Sequence, residues 1–132
     1  MGRPRKNKRL LAELTAHKFH PSLAGCDFWF SIINDEVFCN KLNPINFDIR
    51  RLRGVWGYYD DETGIITLSN VFTSKELFLN VLAHEMVHVY QHQQGMDLSH
   101  GDTFWEWREK FKRNGLVLAE IYDQGHSIVR KK

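Results

Sequence analysis

Cysteine is scarce in this 132-residue chain. Only Cys26 and Cys39 are present, too few for a disulfide scaffold and not arranged as the paired C-x-x-C knuckles of a zinc ribbon. A reducing, cytoplasmic setting is the simplest expectation. Long hydrophobic runs are missing too. The apolar stretches are a few residues long, against the ~20 needed to cross a bilayer, so no membrane partner is expected. No apolar h-region follows the basic N-terminus, which argues against a secretory signal. What the chain does have is 42% apolar and 13% aromatic residues, with nine Phe and four Trp. That supplies one hydrophobic core and excludes a wholly disordered chain. The length fits one domain, and a monomer is expected.

The formal net charge of +2 hides a split. Residues 1–9 carry Arg3, Arg5, Lys6, Lys8 and Arg9, and residues 130–132 carry Arg130, Lys131 and Lys132. The residues between hold ten basic against sixteen acidic side chains, so an acidic body lies between basic ends. Basic arms attract polyanions by releasing condensed counterions, and DNA is the partner expected here. Gly2-Arg3-Pro4-Arg5-Lys6 resembles the core of an AT-hook, whose extended Gly-Arg-Pro run lies in a narrow minor groove. A solvated terminus is the alternative. The expected organisation is a basic arm over 1–9, a single domain over 10–129 and a basic end over 130–132.

Residues 8–20 have the spacing of a short helix, with Leu10, Leu11 and Leu14 along one side. Pro21 and Gly25 mark a break. Residues 26–40 are rich in Phe, Trp, Ile and Val, compatible with a strand pair or a buried irregular segment. Residues 47–72 have strand composition. Asp60-Asp61-Glu62-Thr63-Gly64 forms a turn, followed by a strand from Ile65, so a hairpin is expected. Residues 74–94 make the strongest helix, with capping-box spacing at Thr73 and Glu76 and a stop at Gly95. Its apolar residues run nearly all round, which predicts burial. A second helix is expected over 102–114, with Asp102 as cap and Gly115 as stop. Residues 116–129 are compatible with a short strand. Cys26 and Cys39 are expected as core thiols. Of Trp105 and Trp107, only one can face the core.

Inside the buried helix lies His84-Glu85-Met86-Val87-His88, an H-E-x-x-H pattern. Histidines at i and i+4 stand one turn apart on one face and can bind a single Zn²⁺. Glu85 sits beside that face, where it can take a proton from water. Two histidines and a glutamate buried without partners would be costly, and a metal resolves that cost. A catalytic zinc needs a third protein ligand. The metzincin extension fails, because positions 91 and 94 are both Gln. His92 lies two turns from His84, about 12 Å along the axis, and suits a supporting or solvated role. Glu106 and Glu109 on the next helix are candidates. His100, at the start of that helix, is favoured because the chain can fold back there over the metal.

The stretch HEMVHVYQHQQGMDLSHGDTFWEWREKF, from His84 to Phe111, resembles the SprT-like (Spartan-type) zinc metalloprotease family. That family's pattern is H-E-[ML]-x-H, a loop, then H-G-x-x-F. His84, Glu85 and His88 match the first element, and His100, Gly101 and Phe104 the second. The resemblance implies an α+β, zincin-like metalloprotease domain with a small antiparallel sheet packed on the H-E-x-x-H helix and a second helix. It implies that His84, His88 and His100 bind zinc, that Glu85 is the catalytic base, and that the substrates are proteins associated with or crosslinked to DNA. A C-terminal cysteine zinc ribbon found in some members is missing here, so DNA contact is expected from the basic ends. A DNA- or protein-binding module with a structural or degenerate zinc site is the competing expectation.

Overall fold

The computed structural model describes residues 18–122. The basic ends and all but the last three residues of the helix expected over 8–20 lie outside the described residues.

The aromatic-rich segment after Pro21 is a helix, α1 (Leu23–Glu36), rather than a strand pair or an irregular stretch. Ser22 caps it, its hydroxyl accepting the Gly25 N–H at 3.0 Å. Cys26, Phe30, Ile33 and Val37 recur at steps of three or four and form the buried face. Phe28 and Ile32, which made the composition look strand-like, face outward. Asn34 is buried beside that face and bonds both the N–H and the C=O of Leu42, tying the loop after α1 to the helix. Burial pushes the Cys26 thiol up to about 12, with Asp27 adding to the shift, so Cys26 is a core thiol and no nucleophile. Cys39, expected in the core, is exposed.

Three strands follow: β1 (Asn46–Arg50), β2 (Gly57–Asp60) and β3 (Ile65–Ser69). The β2–β3 hairpin closes as expected, with Gly64 at φ 72° and its N–H donating to Asp60 O at 2.8 Å. The expectation of an antiparallel sheet is corrected. The order is β1-β3-β2, and β1 pairs with β3 in parallel, Asn46 opposite Ile65 through Arg50 opposite Ser69. Burial explains the arrangement. Ile66 and Leu68 are fully buried, and β3 as a whole is the most enclosed strand, so it takes the centre with a strand on either side. Phe19 adds an isolated antiparallel bridge to Phe72 just beyond β3.

The long helix α2 (Lys75–Gln93) packs on β2 and α1. Its cap is Ser74, one residue beyond the expected Thr73; the Ser74 hydroxyl accepts the Leu77 N–H at 3.0 Å. Its end is as expected. Gly95 adopts φ 78°, its N–H donates to His92 O and the Met96 N–H donates to Gln91 O, a Schellman closure. The single helix expected over 102–114 is two short ones, α3 (Asp102–Trp105) and α4 (Arg108–Arg113), with a turn at Glu106 and Trp107. That turn buries Trp107 while leaving Trp105 half-buried. A second Schellman closure at Gly115, φ 76°, sends the chain back as a strap, residues 116–122, which is irregular rather than a strand. One hydrophobic cluster joins all these elements. Among the described residues no helix is long and apolar enough to cross a membrane.

Gly57 marks the tightest approach of sheet to helix. A Cβ there would lie 2.9 Å from both Thr67 O and the Leu68 side chain, and 3.5 Å from Val81 on α2. Gly57→Ala is therefore expected to destabilise the fold by about 1–3 kcal/mol, the usual cost of overpacking. Thermal unfolding checks this, and an unchanged midpoint would mean that β2 does not approach its neighbours so closely.

Candidate metal centre

Helix α2 is apolar on nearly every side, but Asn80, His84, His88 and Gln91 recur at steps of three or four, and all four are buried. They form one polar stripe along a core helix. His84 and His88 face the same way, with ring centroids 5.1 Å apart. The chain leaving α2 turns at Gly95 and returns through Ser99, which brings His100 to 5.3 Å from His84 and 5.1 Å from His88. One ring nitrogen from each of the three lies within 4.8 Å of the other two. Phe104 on α3 floors the cluster, its ring 5.0, 5.5 and 4.7 Å from His84, His88 and His100.

The other ring nitrogens decide which atoms can converge on an ion. His84 Nδ1–H donates to Ala119 O at 2.8 Å. His88 Nδ1–H donates to Gln91 Oε1 at 2.8 Å, and His100 Nδ1 lies 3.2 Å from Glu120 Oε2. A carbonyl oxygen only accepts, so the contacts to Ala119 and Gln91 place a proton on Nδ1 of His84 and His88 and leave Nε2 as the nitrogen that could meet an ion. The Nε2 atoms of all three residues are buried. Three imidazoles whose ring nitrogens converge in this way form a donor set that fits zinc, which binds imidazole in its neutral form. Glu85 projects beside the trio, its Oε2 3.9 Å from His84 Nε2, and its side chain is 1% exposed.

The remaining candidates lie elsewhere. Glu106 and Glu109 are exposed, and neither belongs to the cluster. His92 Nδ1 is hydrogen-bonded to Tyr59 OH at 2.8 Å, outside the trio. Tyr90 packs its ring on Trp107, centroids 4.9 Å apart.

Several supporting residues have no counterpart in the motif. Gln91 is fully buried and joins four groups: its Oε1 accepts from His88 Nδ1 and the Ser99 N–H, and its Nε2 donates to Ser99 O and Thr103 Oγ1. One side chain thus holds an imidazole on α2 and the loop that carries His100. Asn80 Oδ1 accepts the Val117 N–H at 3.0 Å and anchors the strap. Tyr122 OH donates to Val117 O at 2.7 Å and accepts the Ala119 N–H, fixing the carbonyl that holds His84. Burial drives the Tyr122 hydroxyl far above the ordinary phenol range, and Glu85 adds to the shift, so it stays a donor. The spacing of Asn80 and Gln91 relative to the histidines is the sequence signal that could have marked both. Nothing comparable marks the strap, whose contact at Ala119 is made by backbone.

Fold and site together define an α+β protein whose central helix contributes two buried imidazoles to a three-histidine cluster. The SprT-like family model matches residues 27–123, and the chain belongs to this family. The crystal structure of the metallopeptidase zymogen abylysin from Pyrococcus abyssi is similar at a TM-score of 0.49 and 18% identity, over 71% of this chain and 99% of that one. No curated protein matches the chain in sequence.

Gln91→Ala should destabilise the protein by about 1–3 kcal/mol, because it leaves buried backbone and imidazole donors unmatched. If the three histidines hold zinc, the variant should also bind it about 10–100-fold more weakly, as expected when the group orienting a metal ligand is lost. Denaturant unfolding and chelator competition read the two effects. Wild-type zinc affinity in this variant would show that Gln91 has no part in orienting His88.

Proposed function

We propose that this protein is a zinc-dependent endopeptidase of the SprT-like type, acting on DNA-associated or DNA-crosslinked proteins. The observation that carries this reading is the convergence of three imidazoles beside a buried carboxylate. His84, His88 and His100 would hold the metal through Nε2, and Glu85 would be the catalytic base. Bound zinc would supply a Lewis acid that polarises a peptide carbonyl and makes water acidic enough to attack it near neutral pH. Glu85 takes the proton from the attacking water on a carboxylate oxygen and returns it to the leaving amine. The Nδ1 contacts to Ala119 and Gln91 keep the His84 and His88 rings in register throughout. His100, with 11% of its side chain exposed, marks the side from which solvent reaches the cluster. An extended substrate would add to an edge of the small sheet through backbone hydrogen bonds, which give affinity with little sequence preference.

One observation favours a second reading, a binding module with a structural zinc. His84, Glu85 and His88 are between 0% and 2% exposed, and a structural site is closed. The two readings separate at Glu85, since a structural site needs no general base. Glu85→Gln should keep about one zinc per chain yet lose at least ~100-fold in cleavage of a DNA-bound protein or of itself. His84→Ala and His100→Ala should lose both metal and cleavage. Metal analysis and a cleavage assay check these outcomes. Unchanged cleavage by Glu85→Gln would remove the peptidase mechanism, and zinc retained in His100→Ala would remove the third ligand.

DNA contact is assigned to the arm carrying Arg3, Arg5, Lys6, Lys8 and Arg9. If all five hold phosphates, the logarithm of the DNA association constant falls against log salt with a slope of about −4.5, and removing residues 1–9 flattens it. A salt titration of DNA affinity checks this, and an identical slope in the truncated chain would place the contact elsewhere.

A further inference from the structure

His100 differs from the other two imidazoles in how it is held. His84 and His88 rise from a nineteen-residue helix that fixes their backbone. His100 sits in the loop just before α3, so no regular element sets its direction. Its Nδ1 meets a carboxylate instead, Glu120 Oε2 at 3.2 Å. The neighbouring residue, Ala119, accepts His84 Nδ1–H through its carbonyl at 2.8 Å. Two successive strap residues thus engage imidazoles from two different elements. The strap is itself anchored: Val117 bonds Asn80, Tyr122 OH bonds Val117 and Ala119, and Trp56 Nε1 donates to Tyr122 O at 3.3 Å.

We propose that Glu120 is a positioning residue for the third metal ligand, its carboxylate accepting His100 Nδ1–H so that the Nε2 lone pair is aimed at the ion. The proposal rests on the reading of His84, His88 and His100 as ligands and extends it beyond the family motif, which ends at Phe104. Carboxylate–imidazole–metal chains fix both the tautomer and the ring orientation. The Glu120 side chain is 59% exposed, so solvent screens its charge and the hydrogen bond is the larger part of the effect. An amide oxygen at the same place keeps that bond. A methyl group does not.

The test uses the full chain and zinc alone as the probe. Zinc affinity is measured by competition with a chelating dye for wild type, Glu120→Ala, Glu120→Gln and His100→Ala, alongside the thermal midpoint of each metal-free protein. Glu120→Ala should bind zinc about 10–100-fold more weakly with a metal-free midpoint like wild type. Glu120→Gln should recover most of that loss. A merely structural role would lower the metal-free midpoint and leave zinc affinity alone. If Glu120→Ala also lowers the midpoint, Glu120→Gln decides: recovery of affinity upholds the proposal and its failure overturns it. Zinc affinity within twofold of wild type in Glu120→Ala overturns it as well. If instead wild type takes up no stoichiometric zinc, or His100→Ala binds zinc as wild type does, the ligand reading itself has failed, and the Glu120 assignment fails with it.

Discussion

The stripe of hydrogen-bonding side chains along the buried face of α2 is the constraint that the rest of the structure answers to. Asn80, His84, His88 and Gln91 lie inside a core otherwise built from Leu77, Phe78, Val81, Leu82 and their like. A buried polar group without a partner costs about 1–3 kcal/mol, a large share of the stability of a domain this size. The fold meets that demand by bringing backbone to the stripe. Val117 and Ala119 come from one side, and Ser99 from the other. The same bonds that satisfy the helix also orient the imidazoles. The site and the core thus share one set of hydrogen bonds.

Two chain reversals deliver those backbone groups. The Schellman closures at Gly95 and Gly115 both use positive φ, which glycine adopts without a Cβ penalty. The first points the chain leaving α2 back along its own helix, so Gln91 can reach Ser99 and Thr103 and His100 can reach His84. The second turns the end of α4 back across the N-terminal half of α2, where Asn80 and His84 meet the strap. Phe104 fills the space between these two returns and touches all three imidazoles. This contact gives a physical reason for a phenylalanine four residues after His100. A large flat ring packs three imidazoles apart at fixed spacing and presents no polar atom to compete with them.

Much of this was legible where chemistry and local geometry coincide. The H-E-x-x-H pattern needs a helix, and the apolar residues around it specify a buried one. Gly64, Gly95 and Gly115 announce turns that only positive φ allows, and all three adopt it. Legibility ended where the deciding interaction was distant in sequence. Residues 26–36 have strand-like composition, yet Cys26, Phe30 and Ile33 are spaced for a helix and bury that face. The parallel pairing of β1 with β3 depends on which strand the core encloses most, which no single segment records. The strap carries no periodic signal because its contribution at Ala119 is a carbonyl, a group every residue has. Glu120 is an ordinary acidic residue until the fold brings His100 to it.

The electrostatics of the site point toward a cation. Glu85 is held almost fully out of water, its Oε2 3.9 Å from His84 Nε2. Withdrawing a carboxylate from solvent costs several kcal/mol even after the protein relaxes. A divalent ion at the Nε2 atoms would lie beside that carboxylate and offset the cost directly, since Coulomb attraction is strong where water is excluded. The enclosure that withdraws Glu85 from water is also what would make it effective beside a metal. A charge with little competing solvation responds strongly to a proton on an attacking water. Exposing Glu85 would make the fold easier to build and its carboxylate a weaker base for the reaction proposed.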